Sequence, residues 1–265
     1  MRASTPVRPS IRAGSLLRAV LAIAVTLCVV PAYAQDARPI LKAMSDYVGG
    51  LRDISFGYDS SIEIVTPELE KVQFTSTGQV ALSRPDKAKV TRTGGYADVE
   101  LVFDGKVATL YGKNLNAYAQ FEASGSTAQL VDRLRENAGV DLPGADLLSP
   151  DSFALLMSDV VEVKYIGRGV IEGIECEHLA FRNADTDWQI WIEPGSWPIP
   201  RKYVITSKVV TGAPQYTVVI RNWRTDAPSG DAFAFKPAAD AKKVDLAALA
   251  DIDEVPHGTQ PGARK

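Results

Sequence analysis

Segments in which apolar and polar residues alternate recur along most of this chain, and tight-turn sequences separate them. In KVQFTSTGQVALS, residues 71–83, Val72, Phe74, Val80 and Leu82 alternate with Lys71, Gln73, Thr75 and Gln79. A period of two sends one set to a buried face and the other toward water, so this is a long half-buried strand. Gly78 inside it predicts a bulge or a bend. DVELVFDGKVATLYGKNLNAYAQF reads as three strands joined at Asp104-Gly105 and at Gly112-Lys113-Asn114, which are hairpin signals. After Asp159 five more strand patterns follow: VVEVKYIGRG, IECEHLAFR, DWQIWIE, RKYVITSK and QYTVVIRNW. Hairpin after hairpin makes an antiparallel meander, and this many strands must share a sheet with one face to bury.

Three helical stretches accompany the strands, one opening the fold and two in an insert between strand groups. Ile40, Leu41, Met44, Tyr47, Val48 and Leu51 recur at helical spacing, with Asp36 placed to cap the start and Gly49-Gly50 to stop the helix. Ala128, Val131, Leu134 and Ala138 share a second helical face, with Ser126 or Thr127 as cap. Ser149-Pro150 predicts the cap and first residue of a short helix through Phe153 and Leu156. The linking GVDLPGADLL is apolar enough to pack. Helix, strands, helical insert and strands, with no biased linker and no repeat, predict one α+β domain over residues 35–250. It would be a curved antiparallel sheet with covering helices, followed by a flexible tail, 251–265, that contains His257.

The first thirty-four residues are expected to be removed. Arg2, Arg8, Arg12 and Arg18 precede the apolar run AVLAIAVTLCVV, and Ala32-Tyr33-Ala34 supplies a small–x–small cleavage pattern. That run falls short of the ~18 residues a membrane anchor needs. Cys28, without small neighbours, belongs to the discarded run rather than to a lipoprotein site. Losing four arginines takes the net charge from −3 to −7, which argues against nucleic acid or an anionic membrane surface as partner. Cys176 is then the single remaining cysteine, so no internal disulfide forms.

Cys176 and His178 stand two apart in a strand and share a face with Ile174 and Ala180, while Glu175 and Glu177 take the other face. A zinc site needs three or four ligands, and one Cys with one His leaves carboxylates to supply the rest. A nucleophilic pair is conceivable, but mid-strand groups lack a helix N-terminus to activate the thiol. A small buried Cys176 and a hydrogen-bonded His178 account for the pattern more simply. Trp188 and Trp191, three apart, face opposite sides. Asp185 and Asp187 are turn residues, and no phosphate loop, G-x-S-x-G, H-E-x-x-H or C-x-x-C is present. No cofactor or metal is expected.

The segments FDGKVATLYGKNLNAYAQ, GIECEHLAFRNADTDWQIWIE and WPIPRKYVI resemble a family of predicted periplasmic proteins of unknown function. That family lies near the lipoprotein-carrier superfamily of LolA, LolB and RseB, and the resemblance runs from about Ile40 to about Asp245. It implies a half-open β-barrel whose helices plug the concave face over an apolar cavity that receives a lipid or a lipoprotein acyl chain. The residues expected to line such a cavity are Phe74, Leu101, Phe103, Tyr118, Cys176, His178, Trp188 and Tyr203. The function expected is non-enzymatic binding of a hydrophobic ligand in the periplasm. An envelope protein-interaction or sensor module and a thiol-dependent enzyme are the alternatives.

Overall fold

A computed structural model of the chain describes residues 36–138, 142–249 and 252–256. The leader with Cys28, and His257, lie outside the described residues. Helix α1 spans Ala37–Gly50, and the Asp36 carboxylate caps it by accepting from the Arg38 N–H at 3.0 Å. Twelve strands follow in one sheet. The first six are β1 (Asp53–Val65), β2 (Lys71–Ser83), β3 (Lys87–Gly94), β4 (Asp98–Phe103), β5 (Val107–Gly112) and β6 (Ala117–Glu122). After α2 (Thr127–Ala138), a 3-10 turn (Ala145–Leu148) and α3 (Ser152–Met157), five more follow: β7 (Glu162–Ile171), β8 (Ile174–Arg182), β9 (Thr186–Ile192), β10 (Pro200–Ser207) and β11 (Gln215–Arg224). The two-residue β12 (Lys242–Lys243) comes last.

The sheet order is β12-β6-β5-β4-β3-β2-β1-β11-β10-β9-β8-β7. Two antiparallel meanders, β1–β6 and β7–β11, therefore meet at a single seam where β1 pairs with β11, with Tyr58 opposite Ile220 and Ser60 opposite Val218. The order does not close on itself, so the sheet is an unclosed curved layer of the expected α+β class. Only β12 runs parallel to its neighbour, where Lys242 N donates to the Asn116 carbonyl and Val244 N to that of Tyr118, both at 2.9 Å.

One face carries the helices. Along β1 this inner face is Ile54, Phe56, Tyr58, Ser60, Ile62 and Ile64, and the register continues it through Val80, Val90, Leu101 and Leu110. Leu41, Met44 and Val48 of α1 are fully buried, and α1 packs over β7, β8 and β9, whose Leu179, Ile190 and Ile192 are equally buried. Ser45 joins α1 to α3, accepting from Ser152 Oγ and from Phe153 N, each at 2.9 Å. The Arg84 guanidinium donates to the Val48 carbonyl at 3.0 Å, to that of Leu51, and to that of Leu148 at 2.6 Å. It thus satisfies carbonyls that the end of α1 leaves without helical partners and anchors the 3-10 turn to them.

Several local expectations change. Gly49 and Gly50 belong to α1, and Gly49 is needed because a Cβ there would sit 2.4 Å from the Pro150 carbonyl oxygen. The cap of α3 is Asp151, whose carboxylate accepts from Ala154 N at 3.2 Å, rather than Ser149. Ser126 does cap α2, in a reciprocal pair with Gln129. Residues 252–256, placed by sequence in a flexible tail, lie against the inner face, with Val255 4% exposed. Their Ile252 and Val255 find apolar surface left open by the sheet, which is what holds a polar-looking segment in place.

Gly78 makes no bulge, since the β1–β2 register runs through it unbroken. It makes room instead: a Cβ would lie 2.5 Å from the Tyr58 phenol and 2.1 Å from the Thr91 carbonyl oxygen, to which Tyr58 donates at 3.1 Å. Replacing Gly78 by Ala is expected to destabilise the fold by about 1–3 kcal/mol through overpacking against backbone. A lowered urea midpoint with an unchanged slope would register the effect.

Candidate functional site

The two halves of the inner face differ. Under α1, the surface of β7–β10 is filled: Phe181 stacks on Trp188 at 3.8 Å, and Trp188 meets Tyr203 edge-on at 5.8 Å. Between β1–β5 with β11 on one side, and α2, the 142–151 link and α3 on the other, lies a cavity of about 930 Å3. Its floor is Phe56, Val80, Leu82, Val90, Leu101, Leu110, Val218 and Ile220, and its roof is Leu130, Val131, Leu134 and Leu147. No residue of α1 or of β7–β10 lines it. The cavity therefore straddles the β1–β11 seam and depends on it. Its volume lies at the upper end of the ~300–1,000 Å3 typical of small-molecule sites.

Polar groups also line it: Asp132, Asp146 and Asp151 come from the roof elements, and a second group gathers around Arg92 at one end. Tyr58 and Tyr216 line this end; burial pushes the Tyr58 phenol up to about 12 and raises that of Tyr216 further, so both stay protonated and neutral. Arg92, from β3, lies opposite Gly78 in the register. Its guanidinium stands 3.6 Å from a Glu254 carboxylate oxygen and donates to the Ile252 carbonyl. Burial raises the pKa of Glu254, and the adjacent Arg92 opposes that rise.

The Cys176–His178 pair lies on the other face of the sheet. Leu179 and Phe181 take the inner side of β8, with Glu177, whose carboxylate accepts from the Tyr165 hydroxyl at 2.6 Å. Cys176 is fully buried all the same. It faces Gly169 across the β7–β8 pair, and a Cβ on Gly169 would lie 2.9 Å from the Trp191 ring nitrogen, so the indole roofs this spot. The thiol turns to the Ile174 carbonyl at 3.5 Å, and His178 Nε2 bonds to Gln189 at 2.9 Å. His178 also stacks on Trp191 at 4.0 Å, and the Lys202 ammonium lies 5.0 Å from the same indole. Burial pushes the Cys176 thiol up to about 11. Burial likewise lowers the pKa of His178, against the Gln189 hydrogen bond and with help from Lys202. A protonated thiol and a neutral imidazole that are each engaged elsewhere do not form an activated nucleophile. Among the described residues no cluster of three or more His, Cys, Asp or Glu side chains is arranged to hold a metal.

Of the eight residues expected to line a cavity, Leu101 does so. Phe74 borders an adjoining recess of about 390 Å3. Phe103 is fully buried in the core, and Trp188 and Tyr203 belong to the filled half. Tyr118 packs on Phe235, ring centroids 5.0 Å apart, beside Tyr111 opposite it in the β5–β6 pair. Cys176 and His178 take the outer face of β8. Alternation separates the faces of a strand but does not tell which strands lie under which helix. The lining residues that sequence reading passed over include Phe56 and Tyr58, and the alternation in DISFGYDSSIEIV carries the signal for them.

Comparison with known proteins bears on what this cavity belongs to. Residues 37–247 match the family described as predicted periplasmic protein (DUF2092). The chain belongs to that family. No curated protein sequence matches it. Among solved structures, an uncharacterized conserved protein from Thermus thermophilus is similar over 79% of this chain and 98% of its own, at 12% identity and TM-score 0.47. MucB of Pseudomonas aeruginosa, solved in complex with MucA, is similar over 76% of this chain, at 12% identity and TM-score 0.41. This family member spans 61% of that chain. A LolA superfamily protein from Nitrosomonas europaea is similar over 76% of this chain and 99% of its own, at 11% identity and TM-score 0.30. No helix among the described residues is long and apolar enough to cross a membrane.

The burial of Cys176 has a direct chemical readout. Iodoacetamide at pH 8 is expected to leave the folded protein essentially unlabelled and to label it rapidly in denaturant, as mass spectrometry would follow. Rapid labelling of the folded chain would instead restore the thiol as a candidate nucleophile.

Proposed function

We propose that this protein binds a hydrophobic ligand, a lipid or the acyl chain of a lipoprotein, in the periplasm, without catalysing a reaction on it. The leader at 1–34 directs its export and is cleaved. The observation that carries the reading is the largely apolar cavity of about 930 Å3 between β1–β5 and β11 on one side and α2, the 142–151 link and α3 on the other. Each methylene moved from water into such a space contributes roughly 0.8 kcal/mol, so an alkyl chain gains affinity with length and needs few directed contacts. The roof is thin: α2 has an exposed polar side, with Glu136 and Arg135 toward solvent, and contributes Leu130, Val131 and Leu134 to the cavity. A helix held mainly by one apolar stripe can part from the sheet to admit a chain at modest cost.

The neutral dye Nile red is expected to bind the purified protein with enhanced, blue-shifted emission, and organic extraction to release co-purified lipid. Val131→Trp, which fills the roof side of the cavity, should weaken dye binding about tenfold or more, the loss of roughly 1.4 kcal/mol. Absence of both dye binding and extracted lipid would rule the reading out.

A second reading, an envelope protein-interaction module, draws on β7. This outermost strand exposes Ile166 (52%) and Val170 (67%), and Val161 just before it is 73% exposed. An open strand edge with apolar side chains suits strand addition by a partner. Ile166→Lys should abolish recovery of a stoichiometric envelope partner in pull-downs while Nile red binding persists.

A further inference from the structure

The sheet floor of the cavity is apolar except at the end where Arg92 enters it, while α2, the link and α3 bring Asp132, Asp146 and Asp151 to its lining. Among the described lining residues Arg92 is the only one with a basic side chain, and that side chain is 16% exposed. Its contacts with Glu254 and with the Ile252 carbonyl both come from residues 252–256. The same segment turns Ile252 toward the apolar core and buries Val255. It therefore sets against Arg92 the Glu254 carboxylate, next to Asp253 in the chain and accompanied by the aliphatic side chains of Ile252 and Val255, which together resemble an anionic amphiphile. Asp253 and Glu254 also border the adjoining recess of about 390 Å3, which shares Ile62 and Arg92 with the larger cavity and continues to Phe74. The segment borders both spaces, which meet at Ile62 and Arg92.

We propose that Arg92 recognises the head group of an amphiphile bearing a single carboxylate on a long apolar chain, and that residues 252–256 occupy that place as a built-in surrogate until such a ligand displaces them. The proposal rests on reading the cavity as a hydrophobic-ligand site and adds the class of head group. A guanidinium enclosed by apolar surface is costly to leave unpaired. A ligand that ejects Glu254 must therefore bring its own anion, whereas a neutral chain must leave the segment in place or strand Arg92. A free anion brings no chain to replace Ile252 and Val255. Selectivity for a charged head follows from the desolvation of Arg92, and selectivity for a chain from the apolar floor beyond it.

The test is displacement of Nile red at pH 8 by dodecanoic acid, dodecanol and acetate. The acid is expected to compete at concentrations at least about tenfold below the alcohol, the effect of one charge-assisted hydrogen bond, and acetate to leave the dye bound. Arg92→Met should bring the acid-to-alcohol ratio close to one. Glu254→Gln, which removes the competing charge and keeps Arg92, should widen it. Equal competition by acid and alcohol in the unaltered protein, a ratio that survives Arg92→Met, or displacement by acetate alone would overturn the proposal and leave the hydrophobic-ligand reading standing. If Arg92→Met does not fold, Glu254→Gln decides: an acid advantage no wider than that of the unaltered protein overturns the proposal. Failure of Nile red itself to bind would remove the hydrophobic-ligand reading and the proposal with it.

Discussion

The pairing of β1 with β11 is the constraint on which the rest of the structure depends. Every other neighbour in the antiparallel part of the sheet is next to its partner in sequence, joined by a turn or short loop, whereas Tyr58 and Ile220 come together from opposite ends of the domain. Closing so long an intervening segment costs conformational entropy, although that cost grows only with the logarithm of its length. The return is a single inner face built from two meanders. Phe56 and Tyr58 come to it from one side, Val218 and Ile220 from the other, and the cavity floor spans the join. Without the seam each meander would be an open sheet with half a floor.

The helices then divide that face unequally. Helix α1 is capped at Asp36, bonded to α3 through Ser45, and tied at its end by Arg84. Long side chains from both layers fill the space beneath it, ending in the Phe181–Trp188–Tyr203 cluster. Helix α2 has a capping box of its own, yet its side chains stop short of β3–β5 and leave a void. A filled half and a hollow half thus share one sheet, the first packed under α1 and the second roofed by α2 over empty space. That contrast in packing, more than any single residue, is what the proposed ligand site consists of.

Much of this was legible in the residues. Strands around Asp104-Gly105, the strands after Asp159, and α1 with its cap follow from period and turn chemistry, because each is decided within a few residues. The strand β3, KAKVTRTG, was not evident, since lysines, threonines and an arginine hide the single inward line of Ala88, Val90 and Arg92. The seam and the cavity were out of reach for a different reason. They depend on which strands become neighbours across the whole domain and on which helix covers them, and neither leaves a mark in local periodicity. Cys176 illustrates the limit. Its strand and its burial could be read, but only the register places Leu179 and Phe181 inward and the thiol beneath Trp191 on the opposite face.

The parallel strand β12 looks slight, two lysines bonded along Ala117 and Tyr118. A sheet edge is a template on which further strands can grow, and β12 covers the Ala117–Tyr118 end of β6 with a charged, very short strand, a form that discourages another addition there. Among the described residues the β7 side has no such cover. Growth by strand addition is thereby biased toward the β7 side. If two copies join β7 to β7 about a two-fold axis, each uses its more open edge and the assembly is closed, whereas two equally open edges would permit an endless fibre. A pair of lysines thus weighs against strand addition at one edge of a protein made mostly of sheet.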